Sequence, residues 1–293
     1  MKGILLAGGL GSRLAPSTSA VSKQLLPVYD KPMVYYPLSV LMLAGIRDVV
    51  LISSPRDLPL FERLLGDGSR LGIAISYRAQ AEPRGIADAF IVSADLVEGE
   101  PTCLILGDNV FYGLGFSDLL AQGSGVTSGA TIFGYPVSDP TSFGVVEVGA
   151  GGRALSIEEK PREPRSNLAV PGLYFYGGDV VEVARAVEAS SRGELEITDV
   201  NRAYMERGEL TVIEMGRGMA WLDTGTPQGV LQAGQFVEAI QNRQGMYVAC
   251  IEEVAWRRGF IDSGQLRRLG EALLPSAYGR YVVQLADEGA AAR

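Results

Sequence analysis

The sequence predicts an α/β fold built on a doubly wound, mostly parallel, Rossmann-like sheet, and three observations carry that expectation. Apolar, β-branched runs alternate through the first half with stretches whose apolar residues recur every three or four positions. Most of these runs are near-continuous rather than alternating, as strands covered by helices on both faces should be. The first of them breaks directly into glycines, at the sheet end where such folds bind ligands.

Taken in order, residues 4–7, 49–53, 73–77 and 102–106 read as strands, and 34–44, 57–65 and 86–96 between them carry helical spacing. The second half is richer in glycine and reads as antiparallel: strands at 130–137, 144–148, 154–158 and 170–176, helices at 180–189 and 198–206, and a strand at 210–215. From Pro227 amphipathic helical patterns run to about Leu285, and residues 287–293 read as a frayed end. No Pro/Ser-rich linker separates the halves. One domain over 1–240 is expected, with 241–293 a helical appendage packed on it.

At 293 residues and 47% hydrophobic, the chain can bury one large core or two smaller ones. The longest apolar run, 34–44, is too short for a membrane span, and the glycines at 8 and 9 interrupt the first run before it could form the core of a leader, so a cytoplasmic location is expected. Cys103 and Cys250 carry no metal or redox spacing and read as buried reduced thiols. The net charge of −8 argues against nucleic acid or an anionic membrane as main partner. There is no histidine, which removes the commonest general base and transition-metal ligand; a bound metal would take oxygen ligands, which suits Mg²⁺.

Gly8-Gly9-Leu10-Gly11-Ser12-Arg13-Leu14 follows the first strand, with Lys23 ten residues beyond the arginine. Alone, such a turn is only a tight turn. With two basic residues nearby, free backbone N–H groups and formal charge together favour a polyphosphate cradle. It is neither a Walker loop nor a dinucleotide fingerprint, whose third glycine is missing. Asp108, in Gly107-Asp108-Asn109 after a strand, faces the ligand crevice or merely starts a turn. Asp223, in Trp221-Leu222-Asp223-Thr224-Gly225-Thr226, is a second isolated carboxylate in a turn before a helix, or simply part of that helix start. Brought together, the two would hold a divalent cation against a triphosphate, but sequence does not show that they meet. Glu159 and Lys160, in EEKP, end another strand: a solvated pair, or a sugar-hydroxyl acceptor beside a phosphate-binding ammonium. The polar stretch 192–199 reads mostly as capping of a helix, with Thr198 or Asp199 near its N-terminus; the alternative is that Arg192 reaches a phosphate.

These motifs, with Ser22 to Val28 (SKQLLPV), Tyr29 to Met33 (YDKPM) and GELEITDVN at 193–201, resemble in order those of the sugar nucleotidyltransferases over roughly residues 1–285. The resemblance is closest to members that use dTTP and α-D-glucose 1-phosphate. It implies a nucleotide-binding half at about 1–110, a sugar-phosphate half at about 111–226, and transfer of a thymidylyl group to give dTDP-glucose and pyrophosphate. By motif position, Leu6, Gly8, Gly9, Gly11, Ser12, Arg13, Gln24, Gln80, Pro83, Gly85 and Asp108 would bind the nucleotide. Asn109, Tyr135, Gly144, Glu159, Lys160, Val170, Tyr174 and Arg192 would bind the sugar phosphate. Arg13, Lys23 and Lys160 would serve catalysis, and Asp108 and Asp223 would hold Mg²⁺. The resemblance further implies a homotetramer with dTDP-rhamnose as feedback inhibitor at an intersubunit site, for which Tyr112, Gly113, Phe116, Arg217 and Gly218 are the candidates. Ala15-Pro16 stands where relatives often carry His-Pro.

The chemistry suits the composition. A sugar phosphate is already largely a dianionic nucleophile at neutral pH, so no base is required. Competing readings are transfer of another nucleotide, or to another sugar 1-phosphate; a non-catalytic sensing homologue; and a nicotinamide oxidoreductase, which the failed fingerprint disfavours.

Overall fold

Lys2–Leu6 pairs in parallel with Asp48–Ser53 on one side and Thr102–Leu106 on the other, and Ala74–Ala79 extends the parallel half beyond Asp48–Ser53. The computed structural model describes residues 1–9 and 11–291, with side chains up to 289. Beyond Thr102–Leu106 the direction changes. Leu173–Tyr176, Ala130–Pro136, Leu168–Ala169, Gly144–Val148 and Ala154–Glu159 follow as antiparallel neighbours, and Leu210–Glu214 joins Ala130–Pro136 in parallel, making a ten-stranded sheet. The α/β sheet expected from the sequence is present: parallel in its first half, mixed as a whole.

Strand periodicity explains the unbroken apolar runs. Ile4 and Leu6 enter one core with Val50, Ile52 and Leu104, while Leu5 enters the opposite core with Leu51, Cys103 and Ile105. Because both faces are covered, the central positions of these strands are apolar on both sides, and polar residues such as Ser53 and Thr102 come at strand ends. Tyr35–Leu43, apolar round its circumference, is correspondingly buried. Both cysteines are buried and free. Among the described residues no helix is long and apolar enough to cross a membrane.

Several boundaries differ from expectation, each for a local reason. The third strand runs Ala74–Ala79, in step with the full length of Asp48–Ser53. The helix expected over 86–96 is two short ones, Asp88–Val92 and Ala94–Val97, broken at Ser93, whose hydroxyl donates to the Ala89 carbonyl at 2.6 Å. The strand expected over 170–176 is interrupted by Pro171, which has no N–H to give. The helix from Val180 ends at Ala186, where Val187 turns extended. Residues 287–291 continue the helix Ala277–Ala291 instead of fraying, held by Arg267 on Asp287 and Gln284 on Glu288; Ala292 and Arg293 lie outside the described residues.

The sequence did not suggest that Asn109–Gly113 and Met219–Asp223 are strands. They form a separate antiparallel ribbon, pairing Asp223 with Asn109 at one end and Met219 with Gly113 at the other. The helix Pro227–Gln244 leaves this ribbon with Thr226 as its N-cap, its side chain accepting from the Gly229 N–H. Ile251–Arg257 then packs on Tyr35–Leu43, and Ser263–Ala272 packs on Ala277–Ala291.

Candidate active site

After Leu6 the chain turns through Gly8 to Gly11, with φ of 95° at Gly9 and 59° at Gly11, backbone that side chains rarely adopt. Leu10 lies outside the described residues. Gln24, fully buried, braces this loop: its amide donates to the Gly8 carbonyl at 3.1 Å and accepts from the Ser22 hydroxyl at 2.6 Å. Thr18 ties down the Gly11 carbonyl at 2.9 Å. Ser12–Leu14 closes a single 3-10 turn, and Arg13 reaches the reaction crevice. Leu6 is a core residue, and Gly11 and Ser12 line neither of the two cavities that flank the loop.

One of these cavities, about 360 Å³, is bounded by Gly8, Gly9, Ser54, Arg56, Gln80 and Pro83. Gln80 donates to Asp88 at 2.8 Å and to the Gly85 carbonyl at 3.3 Å, so the orientation of its amide is set and its oxygen faces Gly8. Gly85 is where the 80–88 loop meets the opposite half. A Cβ there would stand 2.4 Å from the Leu195 carbonyl oxygen, and the Leu195 N–H donates to Arg84 at 2.7 Å.

The other cavity, about 290 Å³, brings together Arg13, Asp108, Asn109, Glu159, Lys160 and Asp223, with Gly144, Val170 and Tyr174 in its walls. The ribbon explains how two carboxylates far apart in sequence meet here. Asp108 immediately precedes one strand, Asp223 ends the other, and Thr224 clamps them by donating its N–H and hydroxyl to the Asp108 carbonyl at 3.0 and 2.6 Å. Asn109 is held by the Gly172 N–H at 3.1 Å and the Trp221 indole at 2.6 Å, both on its oxygen, so its amide nitrogen must face Asp108 Oδ1, at 3.1 Å. The Lys23 ammonium sits on Asp108 Oδ2.

These contacts divide the two carboxylates. Burial alone would raise the Asp108 carboxyl, but the Lys23 charge and hydrogen bond, with that of Asn109, override it and hold Asp108 below the usual range. Asp223 is pushed up, first by burial and then by the negative charge of Asp108, against the single Gly225 N–H donated to it at 2.9 Å. Gly225 leaves room for both sides of this contact: a Cβ there would stand 2.9 Å from the Arg13 guanidinium and 3.0 Å from Asp223 Oδ1.

On the far wall Lys160 adopts φ 46°, a left-handed conformation costly for a lysine, and its N–H donates to Phe143 at 2.9 Å. This turn brings the side chain into the cavity before Pro161 ends the pairing. Glu159 accepts from Thr198 at 2.6 Å and lies 3.3 Å from Lys160 and 3.7 Å from Arg192. Arg192 is at the rim, bound chiefly to Glu196 at 2.8 Å. Tyr135 is not in the wall; its hydroxyl donates to the Met219 carbonyl at 3.2 Å and its ring packs edge-on against Trp221.

Sequence reasoning missed Trp221 and Thr198 as site residues. Trp221 and Asp223 are two apart on one strand and so share a face, a signal hidden while 221–226 was read as a turn. Tyr112, Gly113 and Phe116 line a third cavity of about 460 Å³, together with Tyr247, Val248 and Arg257. Arg217 and Gly218 lie outside it, although the Gly218 carbonyl oxygen would stand 2.7 Å from a Cβ on Gly113. Among the described residues no cluster of three or more His, Cys, Asp or Glu is placed to hold a metal, so any cation here would rest on two carboxylates plus its substrate.

Residues 2–240 match the model of the nucleotidyl transferase family. The chain is 54% identical over 289 residues to the glucose-1-phosphate thymidylyltransferase of Xanthomonas campestris pv. campestris, covering 99% of this chain and 98% of that one. It is 54% identical over 287 residues to the enzyme of the same name from Mycobacterium tuberculosis, covering 98% and 99%. A crystal structure described as a glucose-1-phosphate thymidylyltransferase from Bacillus anthracis superposes with a TM-score of 0.74 at 38% identity, over 80% of this chain and 94% of that one. A UDP-glucose pyrophosphorylase complexed with UDP-glucose shares the fold at 22% identity, with a TM-score of 0.72.

Proposed function

The chain belongs to the nucleotidyl transferase family, and from that premise we propose that it transfers a thymidylyl group from dTTP to α-D-glucose 1-phosphate, releasing pyrophosphate. The observation that carries this reading is the meeting of Asp108 and Asp223 between the braced glycine loop with Arg13 and the Glu159–Lys160 wall. Such a site can hold two phosphorylated substrates with their reacting ends together. Pyrophosphate release measured across a matrix of nucleoside triphosphates and sugar 1-phosphates tests it. Turnover should be highest with dTTP and glucose 1-phosphate, and dUTP should follow, because one methyl in an apolar pocket discriminates by only ~1–3 kcal/mol.

The glycine loop, backed by Gln24, offers N–H groups and Arg13 to the triphosphate, and the cavity of Gly8, Gln80 and Pro83 takes the base, with Gly85 packing its loop against Leu195. The Gln80 oxygen, oriented because the amide nitrogen donates to Asp88, is ready to accept from a base N–H. Glu159, aligned by Thr198, accepts sugar hydroxyls, while Lys160 meets the sugar phosphate and Asn109, Gly144, Val170 and Tyr174 shape the wall. Arg192 serves the rim. Tyr135 supports the pocket through Trp221 rather than by contact. On this reading residues 1–110 form the nucleotide half, 111–226 the sugar-phosphate half, and 241–293 a helical appendage.

The nucleophile needs no base, being already a dianion, so catalysis reduces to aligning it with the α-phosphorus and stabilising shared negative charge with Arg13, Lys23 and Lys160. Two partly buried carboxylates, one raised first by burial and then by the other's charge, form a donor set that favours a hard divalent cation. Asp108 and Asp223 would hold Mg²⁺, which when bound would neutralise charge on the phosphate oxygens.

Lys160→Ala should raise KM for glucose 1-phosphate about tenfold or more while leaving KM for dTTP nearly unchanged; Arg13→Ala should lower kcat and raise KM for dTTP. Steady-state kinetics with each substrate varied in turn checks both. Equal effects of Lys160→Ala on the two constants would make it a solvated charge.

The third cavity is proposed as part of an intersubunit site in a homotetramer, completed by Arg217 and Gly218, at which dTDP-rhamnose inhibits. Titration of dTDP-rhamnose into wild type and Arg217→Ala is expected to show non-competitive inhibition against dTTP that weakens in the variant. Strictly competitive inhibition, unchanged in Arg217→Ala, would refute it.

A further inference from the structure

We propose that the Lys23 ammonium stands in for the divalent cation until nucleotide arrives, so that the site excludes the free metal and admits it only with a triphosphate. The inference rests on reading Asp108 and Asp223 as the cation's ligands and adds to it the order in which charges enter.

Asp108 has both oxygens engaged: Oδ1 by the amide of Asn109, whose orientation is locked by Gly172 and Trp221, and Oδ2 by Lys23. The side chains of Lys23 and Asp108 are 14% and 13% exposed, so solvent screens their attraction weakly. Asp223 carries one N–H, from Gly225, and feels Lys23 and Arg13 only as more distant charges. The geometry thus places one full positive charge in contact with one member of the carboxylate pair, on an Asp108 oxygen that a cation would compete for. A cation entering alone must displace Lys23 into a site already holding Arg13, where the remaining carboxylate, Glu159, is already engaged by Thr198 and Lys160. A cation entering on a triphosphate brings an anion to receive the lysine. The lysine, a point charge on a flexible four-carbon stem, can then turn from the carboxylate to the phosphates. Gln24, the next residue, is clamped between Ser22 and Gly8, so the backbone stays in place while the side chain exchanges partners.

Lys23→Met keeps the bulk and removes the charge. Mn²⁺, a hard cation read by electron paramagnetic resonance, is titrated into protein without nucleotide. The expected result is binding about tenfold or more tighter in Lys23→Met than in wild type, lost again in Lys23→Met/Asp108→Asn. Lys23→Gln, which can still donate a hydrogen bond to Asp108, should also bind Mn²⁺ more tightly than wild type, which covers the case in which Lys23→Met folds poorly. Mn²⁺ binding no tighter than wild type in the folded variants, or tighter but indifferent to Asp108→Asn, overturns the inference. Wild type with dTTP provides the separate check. Mn²⁺ retained there depends on Asp108 if the metal reading is right; no such retention removes that reading and this inference together.

Discussion

Asp108→Asn and Asp223→Asn should each lower kcat by roughly a thousandfold, about 4 kcal/mol of lost transition-state stabilisation, measured as pyrophosphate release at saturating dTTP and glucose 1-phosphate. The two variants should separate when melted without substrate. Asp223, with its carboxyl raised, binds its proton more tightly folded than unfolded, so the stability tied to it falls as pH rises from the ordinary carboxyl range through its folded pKa. Above that folded pKa the cost is present in full, and Asp223→Asn should remove it there, raising Tm. Asp108, held low, has the opposite sign: its contribution is present above the ordinary carboxyl range and is lost as pH falls through its lowered pKa. Asp108→Asn at neutral pH forfeits it and strands the Lys23 charge, so Tm should fall. Near-normal kcat in either variant would remove that residue from the site. Shifts in Tm of the same sign would refute the division of charge between them.

Gly229→Ala is expected to be as damaging without touching a charge. The glycine is the third helical residue after the Thr226 cap, and a Cβ there would stand 2.2 Å from the Asp223 carbonyl oxygen. No flexible side chain can yield, since the obstacle is backbone. Either the helix Pro227–Gln244 lifts from the ribbon or Asp223 moves, at about 2–3 kcal/mol, lowering Tm by roughly 3–5 °C and kcat by more than tenfold. Thermal melts and turnover of the purified variant check both, and a Tm within a degree of wild type would show that the helix start has slack.

The parallel half of the sheet was legible because burial on both faces forces apolar runs, and Asp108, Lys160 and Arg13, which their chemistry singled out, line one cavity. What was not legible depends on pairing at long range. No local pattern ties 109–113 to 219–223, and a two-stranded ribbon with one strand ending in Asp-Thr-Gly-Thr-Pro looks like a turn. Tyr135 was misplaced for a related reason: Trp221, which intervenes between it and the cavity, belongs to that unseen strand. Ser93 and Pro171 were visible, but each breaks its element through one hydrogen bond made or one donor missing, which periodicity does not weigh.

The ribbon also sets when in the life of the chain activity can begin. Its second strand leaves the ribosome more than a hundred residues after its first, with most of the large sheet between them. A nascent chain can therefore build the glycine loop and the base cavity early, yet it owns only one of its two carboxylates until residue 223 has emerged and found residue 109. Contacts this distant in sequence are the slow ones to form. If Asp108 and Asp223 act together as proposed, a half-made copy sheltering a nucleotide has no means of consuming it, and competence to turn over arrives only when the second strand of the ribbon closes on a partner synthesised long before.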